Sequence, residues 1–254
     1  MDFLFVGVIG LVIGSFLNVC IYRIPREESI SYPPSHCASC NHKLRPLDLI
    51  PLISFLCLKG RCRYCGEKIS IRYPLIEALN CVLYLVVYMR YGFTIFTIKL
   101  CILTSLLIVI GLIDYNTQDV YTSTTLFGVI VGAIFIAVQY FIYKEGAADL
   151  ILGGVVGALI IGAIVVLTGG MGEGDIEIAG MCGLFLGVKL MLLALFISVV
   201  IGGITGIIIL ALKLKDKKDA MAFGPCIAIG ALISILLGNL LINMYFSLFM
   251  YQFN

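Results

Sequence analysis

Four cysteines in one polar stretch of the sequence have the spacing of metal ligands. They form two C-x-x-C pairs, Cys37 with Cys40 and Cys62 with Cys65, and the spacer between the pairs runs from residue 41 to residue 61. Each pair places two thiols on one tight turn, and two such turns supply the four sulfurs of a tetrahedral zinc site. Because protein sulfur would fill every position, we expect a structural zinc ion. A redox-active dithiol pair and unliganded thiols are the alternatives.

Both histidines of the chain flank the first cysteine pair. His36 and His42 could in principle replace a sulfur ligand, but we expect both to be exposed polar residues. Cys57 lies outside the two pairs and receives no role. The predicted ligand set is therefore the four paired cysteines.

Two aspartates lie at the ends of apolar runs, where ionisable groups are costly and indicate function. Asp114 ends the run 109–114, and Asp175 ends the segment 171–175, which also holds Gly172 and Gly174. Two carboxyl groups within hydrogen-bond reach cannot both ionise, so one stays protonated while the other can take a proton from water. Such a pair can hydrolyse a peptide bond without a metal, and the glycines would let a substrate strand approach closely. The alternative for each aspartate is that it caps a helix or is solvated at the membrane surface.

Glu77 is a third ionisable residue in an apolar run. It could pair with a cation, contribute to substrate binding or be a buried hydrogen-bonding residue, and the sequence does not choose among these roles. Asp119, Glu173 and Glu177 lie near the two aspartates in sequence. We expect these three to be surface charges.

The composition excludes a soluble protein. Of 254 residues, 61% are hydrophobic and only 13% are charged, whereas ordinary soluble domains carry about 25% charged residues. The net charge of +2 gives no indication of a nucleic-acid partner. The chain must be surrounded by lipid.

The apolar runs predict an all-α polytopic membrane protein, because a spanning helix needs about 20 apolar residues. We expect about eight transmembrane helices, near residues 3–22, 73–89, 96–113, 123–143, 150–167, 176–188, 190–212 and 222–245. The segment 176–188 is short and could instead be tilted or re-entrant. Glycines four residues apart within several runs predict close packing of helices. The domains follow as a first transmembrane helix (1–22), a zinc-binding loop domain (23–72) and a transmembrane bundle (73–254).

The basic residues predict the orientation of the chain. Nine of the 17 Lys and Arg residues lie in 23–72, and four more are Lys213, Lys215, Lys217 and Lys218. Positive residues favour the cytoplasmic side, so both segments and the cysteine pairs belong inside and the N-terminus outside. With eight spans, Asp114 and Asp175 then lie together at the cytoplasmic face of the membrane.

The combined motifs resemble those of the type IV prepilin peptidases, also called leader peptidase/N-methyltransferases. The resemblance covers nearly the whole chain and rests on GSFLNV (14–19), YRIP (22–25), the two cysteine pairs, RYPLIE (72–77), Asp114, G-x-G-D ending at Asp175, and FGP (223–225).

The resemblance implies an inner-membrane aspartic endopeptidase that removes the short basic leader of prepilin-like or pseudopilin-like proteins, whose apolar helix lies in the bilayer. By position, Asp114 and Asp175 take the catalytic places, with Gly172, Gly174 and Glu77 as supporting residues. Many members also methylate the new N-terminus with S-adenosylmethionine, and the cysteine-bearing loop favours this bifunctional type over the preflagellin type. The alternative from another class is a zinc-stabilised transporter or an assembly scaffold without peptidase activity.

The sequence departs from the family pattern at two places. The stretch after the first aspartate reads Val120-Tyr121-Thr122 where a Pro-Asp is usual, and Glu177 replaces the lysine of G-x-G-D-x-K. Because an anion raises the proton affinity of nearby carboxylates, we expect a higher pH optimum than in a lysine-bearing relative.

Overall fold

The computed structural model describes residues 1–144, 146–212 and 222–251. Helices dominate these residues, and the only strand-like pairings among them are two isolated β-bridges. The prediction of an all-α protein is confirmed. The helices are α1 (Asp2–Arg23), α2 (Ile53–Cys57), α3 (Arg72–Tyr91), α4 (Ile95–Thr117), α5 (Thr122–Tyr143), α6 (Ala147–Thr168), α7 (Glu173–Ala211) and α8 (Gly224–Tyr251).

The chain divides into two compact units. The first is Met1–Val109 and the second is Ile110–Asn254. The boundary lies within α4, so the three predicted domains remain a prediction. The lysines at 213, 215, 217 and 218, on which part of the predicted orientation depends, lie outside the described residues.

Six helices within the described residues are long and apolar enough to cross a membrane: α1, α4, α5, α6, α7 and α8. The count differs from the predicted eight for two reasons. Polar residues such as Glu77 and Asn80 lower the mean hydropathy of α3. The segments predicted at 176–188 and 190–212 are joined in α7.

The long helix α7 is interrupted at Gly187, whose φ of 75° and ψ of 175° are not helical. A break of this kind leaves backbone N–H groups without their helical partners. Asp149 of α6 supplies a replacement, because its Oδ1 accepts a hydrogen bond from the Val188 N–H at 3.3 Å. The first part of α7 therefore runs from Glu173 to this break, which explains why the sequence suggested a separate short segment.

Helices α6 and α7 pack through glycines. A Cβ at Gly183 would collide with the backbone carbonyl oxygen of Gly153, and a Cβ at Gly157 would lie 2.6 Å from the carbonyl oxygen of Ala179. In the first unit, a Cβ at Gly14 would lie 2.8 Å from the Cα of Glu77. The predicted role of the spaced glycines, close approach of helix backbones, is confirmed at these positions.

Replacing Gly183 with alanine is expected to lower the thermal unfolding midpoint, because the new Cβ would meet rigid backbone. Overpacking of this kind costs about 1–3 kcal/mol. Gly203→Ala is the matched control in the same helix, since nothing lies within 4 Å of a Cβ at that position. Thermal unfolding of both variants in the same detergent measures the difference. Equal midpoints would contradict the packing of α6 on α7 through Gly183.

The first unit is held by polar groups between its helices. Asn80 of α3 donates to the Gly10 carbonyl of α1 at 2.8 Å and accepts from the Ser105 hydroxyl at 3.0 Å. Asn18 of α1 donates to the Tyr73 carbonyl at 3.1 Å. Buried polar side chains that are fully hydrogen-bonded fix the register of neighbouring helices. These contacts therefore fix the position of α3 along the axis of α1.

Candidate active site and metal centre

Asp175 is buried in the first turn of α7, where it is 4% exposed. Its Oδ2 accepts a hydrogen bond from the Gly172 N–H at 3.1 Å, and its own N–H donates to the Gly172 carbonyl at the same distance. This contact is half of a capping box, and the positive end of the helix dipole favours the charge. Helix capping, the structural alternative for this aspartate, therefore accounts for one of its oxygens.

Asp114 lies in a less favourable position. It lies near the C-terminal end of α4, where the helix dipole disfavours an anion, and it is only 3% exposed. Its Oδ2 makes no hydrogen bond of good geometry with the described residues, although the N–H of Gly224 at the start of α8 interacts with the carboxyl. A buried polar atom left unpaired costs about 1–3 kcal/mol or more, and a residue that is only 3% exposed is not a solvated surface charge.

The two aspartates come together within the second unit. Their carboxyl groups interact electrostatically. Gly224, at the start of α8, packs against the Asp114 carboxyl. It also lies against Ile178 of α7, because a Cβ added at residue 224 would be 3.0 Å from the Ile178 Cδ1 atom. The C-terminal end of α4, the start of α7 and the start of α8 thus meet around the pair.

Two neighbours of the pair were not identified as site residues from the sequence. Gly224 belongs to the FGP motif, and only its contact with Asp114 explains why a glycine stands there. Val120 fills the space beside Gly174, because a Cβ at 174 would collide with the valine side chain. The absence of a side chain at Gly174 therefore lets the loop after α4 pack against the start of α7.

Glu177 is exposed, as predicted, but it also links two helices. Its Oε2 accepts a hydrogen bond from the buried Thr125 hydroxyl of α5 at 2.5 Å, and its Oε1 one from Thr122 at 3.4 Å. Glu177, the acidic residue that replaces the usual lysine, therefore has its own hydrogen-bond partners in α5. Its expected effect on the pH optimum stays a prediction.

Glu77 is a buried hydrogen-bonding residue, one of the three roles that the sequence left open. It is 8% exposed, and its Oε2 accepts a hydrogen bond from the Leu52 N–H of the loop at 2.8 Å. Leu52 has a φ of 59°, in the left-handed region. The carboxylate of Glu77 thus fixes a strained point of the loop to α3.

The four paired cysteines form one cluster. The Sγ atoms of Cys37, Cys40, Cys62 and Cys65 all lie within 4.8 Å of one another, and those of Cys37 and Cys65 are 3.8 Å apart. Sulfurs placed tetrahedrally at a Zn–S distance of about 2.3 Å are separated by about 3.8 Å. The cluster therefore fits a four-thiolate metal site, and His36 and His42 are not part of it.

The two cysteine turns have the same local structure. In the first, the Cys37 N–H donates to the His42 carbonyl at 3.0 Å, and Asn41 has a φ of 55°. In the second, the Cys62 N–H donates to the Glu67 carbonyl at 2.8 Å, and Gly66 has a φ of 74°. Backbone hydrogen bonding, with that from Cys40 the largest contribution, lowers the pKa of Cys37 to about 6. A backbone hydrogen bond at Glu67 acts to lower the pKa of Cys65, but burial and hydrogen bonds with the other three cysteines of the cluster raise it to about 12. Without a metal ion, Cys37 is therefore largely a thiolate at neutral pH and Cys65 a thiol.

Asp48 ties the segment between the two turns to the second turn. Its carboxylate accepts hydrogen bonds from Arg63 Nε at 2.7 Å, from the Tyr64 hydroxyl at 3.2 Å and from the Arg45 N–H at 3.1 Å. Burial acts to raise the pKa of Asp48, but these donors hold it below its usual value. The His42 ring stacks on Tyr64 with centroids 3.6 Å apart, which joins the two turns.

These features define a polytopic helical membrane protein with a buried pair of aspartates in one unit and a four-cysteine cluster in the other. Both parts match known families. Residues 8–91 match the bacterial peptidase A24 N-terminal domain, and residues 101–207 match the type IV leader peptidase family. No solved structure matches the chain.

Curated relatives cover nearly the whole chain. It is 34% identical to the prepilin leader peptidase/N-methyltransferase of Pseudomonas putida over 91% of this chain and 89% of the relative. It is 33% identical to the protein of the same name from Bacillus subtilis, over 94% of this chain and 95% of the relative. It is 34% identical to that of Neisseria gonorrhoeae, over 88% of this chain and 86% of the relative. The chain therefore belongs to the type IV leader peptidase family, and it is an enzyme rather than a transporter or scaffold.

Proposed function

We propose that the chain is an aspartic endopeptidase of the inner membrane that removes the short basic leader of prepilin-like proteins, with Asp114 and Asp175 as its catalytic pair. The observation that carries this proposal is Asp114, a buried carboxyl at the C-terminal end of α4 whose Oδ2 makes no hydrogen bond of good geometry with the described residues. A group held at such a cost to stability indicates a role in chemistry. The names of the curated relatives supply the substrate class.

The pair divides the work of peptide hydrolysis between its two members. The protonated carboxyl donates a hydrogen bond to the scissile carbonyl oxygen, and the ionised carboxylate removes a proton from the attacking water. The resulting tetrahedral intermediate collapses when the leaving amine takes a proton from the pair, which returns the two groups to their starting state. Gly172 leaves room for an extended substrate backbone beside Asp175, since a Cβ at 172 would meet only the Asp175 carboxyl and the Gly174 nitrogen, at 3.9 and 4.0 Å, whereas Val120 occupies the space beside Gly174.

Exposed acids near the pair suit a basic leader. Asp119, Glu173 and Glu177 are all exposed and lie at the end of α4 or in the first turns of α7. Charges of this kind attract Lys and Arg of a substrate at low ionic strength, while the apolar helix of the substrate remains in the lipid. Prepilins and pseudopilins with a basic leader and an apolar helix are therefore the proposed substrates.

The cysteine cluster is proposed to hold a structural zinc ion. Its four thiolates close the coordination sphere, so the metal would hold the loop folded. The names of the relatives also support methylation of the new N-terminus with S-adenosylmethionine as methyl donor. The N-terminus is proposed to lie outside, with the zinc loop and the aspartates on the cytoplasmic side.

Purified chain in proteoliposomes is expected to cleave a test protein that has a basic leader followed by an apolar helix. Mass spectrometry of the product measures loss of the leader and, with S-adenosylmethionine present, the gain of one methyl group. A substrate whose leader lysines are replaced by glutamates is the control and should be cleaved much more slowly. Intact test protein after long incubation with folded, zinc-loaded chain would refute the proposal.

A further inference from the structure

The loop domain carries an apolar surface that no described residue covers. The segment 46–58 reads PLDLIPLISFLCL and contains α2. Leu47, Ile53 and Leu56 are 67%, 59% and 72% exposed. A contiguous exposed apolar patch of this kind marks a contact surface.

The contacts of this segment within the first unit give its position along the axis of α1. Leu52 N–H is bound by Glu77, and the Cα of Glu77 lies at the level of Gly14 in α1. Arg23 is the last residue of α1. Gly14 lies roughly 13 Å from Arg23 along the helix axis, on the N-terminal side, because about nine residues separate the two and each adds a rise of about 1.5 Å. A glutamate side chain reaches only about 5 Å from its Cα. The Leu52 amide therefore lies several ångströms below Arg23, beside the last apolar turns of α1.

A second contact gives a similar position along α1 for the start of α3. Asn18 of α1 donates to the Tyr73 carbonyl, one residue after α3 begins. The first turn of α3 and the loop residues attached to it thus lie below the cytoplasmic end of α1, whose apolar length suffices to cross the membrane.

Several backbone N–H groups of the segment have hydrogen-bond partners within the protein. Non-helical backbone at membrane depth is tolerated only where its polar groups have partners in the protein. Glu77 binds the N–H of Leu52, and the N–H groups of Ser54, Leu56 and Leu58 donate to carbonyls four residues earlier, at 2.9–3.0 Å. The segment contains one ionisable carboxylate, Asp48, whose oxygens are bound by the donors described above.

The charges on either side fit a lipid surface. Exposed cations both precede and follow the segment: Lys43, Arg45, Lys59, Arg61 and Arg63. Basic residues that flank an apolar stretch interact with lipid phosphates while the apolar side chains enter the acyl region.

We propose that residues 46–58 form a re-entrant segment that inserts Leu47, Ile53 and Leu56 into the cytoplasmic leaflet and thereby anchors the cysteine-bearing loop to the bilayer. Interfacial segments of this type bury their apolar face about 5–10 Å into the boundary of headgroups and acyl chains. The proposal rests on α1 crossing the membrane. It does not depend on the peptidase reaction.

The chain contains no tryptophan, so single tryptophans can report membrane depth. Leu56→Trp is reconstituted in phosphatidylcholine/phosphatidylglycerol vesicles with or without lipids brominated in the upper acyl chain. Phe16→Trp, at an exposed position between Gly14 and Arg23 of α1, is the lipid-facing reference. Glu67→Trp, at an exposed polar position after the second cysteine pair, is the control in water.

Brominated lipid is expected to quench Leu56→Trp to within about twofold of Phe16→Trp, as follows from insertion by about 5–10 Å, and to leave Glu67→Trp nearly unchanged. Soluble iodide should show the reverse order. Strong iodide quenching of Leu56→Trp without quenching by brominated lipid would overturn the proposal, and protection from both quenchers would do so too by indicating a protein partner. If Leu56→Trp does not fold, Ile53→Trp decides by the same criteria.

Discussion

Asp114→Asn and Asp175→Asn are each expected to abolish leader cleavage, with losses of about 10²–10⁴-fold or more, the contribution typical of a positioned acid or base. The pair works only if one member is protonated and the other ionised. An amide at either position cannot take a proton from water, and the remaining carboxyl loses the neighbour with which it shared a proton. Initial rates in proteoliposomes, measured over a range of pH, check the result.

The structure separates this effect from unfolding. The Asp114 Oδ2 makes no hydrogen bond of good geometry with the described residues, so an uncharged amide at 114 should change the thermal midpoint little. At 175, the amide oxygen of asparagine can still accept the hydrogen bond from Gly172. Glu28→Gln is the control, because it removes an exposed carboxylate to which no role is assigned and should change the rate by less than about threefold, as expected for a screened charge.

Cleavage at wild-type rate by either asparagine variant, in protein with an unchanged midpoint, would exclude the proposed pair. A lower midpoint for Asp114→Asn would indicate that this carboxyl has a structural role, and it would remove the observation on which the proposed function rests.

The sequence indicated candidate residues for the site more readily than the contacts around them. Asp114 and Asp175 stand out as candidates because charge is scarce in this chain, and a carboxyl at the end of an apolar run is costly enough to require an explanation. The cysteine pairs could be identified because the spacing within each turn is set by local geometry. In both cases the information lies in residue types and short spacings.

The contacts around the pair could not be predicted in the same way. Gly224 meets Asp114 only after a connection of more than a hundred residues has folded, and no local pattern encodes that distance. Glu177 reads as a surface charge, because its bond to Thr125 depends on how α5 packs against α7. The number of spans also differed, since the segments predicted at 176–188 and 190–212 both lie in α7, where Asp149 binds the N–H beside the break at Gly187.

Glu77 helps to explain why α3, predicted as a span at 73–89, is not among the six helices that are apolar enough to cross a membrane. Its charge lowers the hydropathy of α3, although its carboxylate is bound to the Leu52 amide inside the first unit. The energetic penalty that hydropathy assigns to a free charge is reduced by such a partner. Hydropathy counts residues one at a time, so it cannot include this compensation.

Cys40→Ser is expected to lose the bound zinc and unfold the loop, whereas Cys57→Ser keeps both. Structural zinc contributes about 10–16 kcal/mol of apparent binding free energy in zinc-finger peptides, and in this loop most of the exposed chain has no other regular structure. Cys57 is the matched control because it is also an exposed cysteine of the loop but lies outside the cluster. Elemental analysis measures zinc per chain, and limited trypsin digestion reports cleavage at the basic residues of 23–72.

Exchange of the metal separates a structural site from a catalytic one. Cobalt(II) in place of zinc should show the strong visible and sulfur-to-metal absorption of a tetrahedral four-thiolate site, and leader cleavage should stay within about twofold because no coordination position is open to water. A large change in rate on exchange would place the metal in the reaction. Protein purified without zinc but with the two cysteine pairs oxidised would instead support the redox alternative, since the four sulfurs lie close enough together to serve either chemistry.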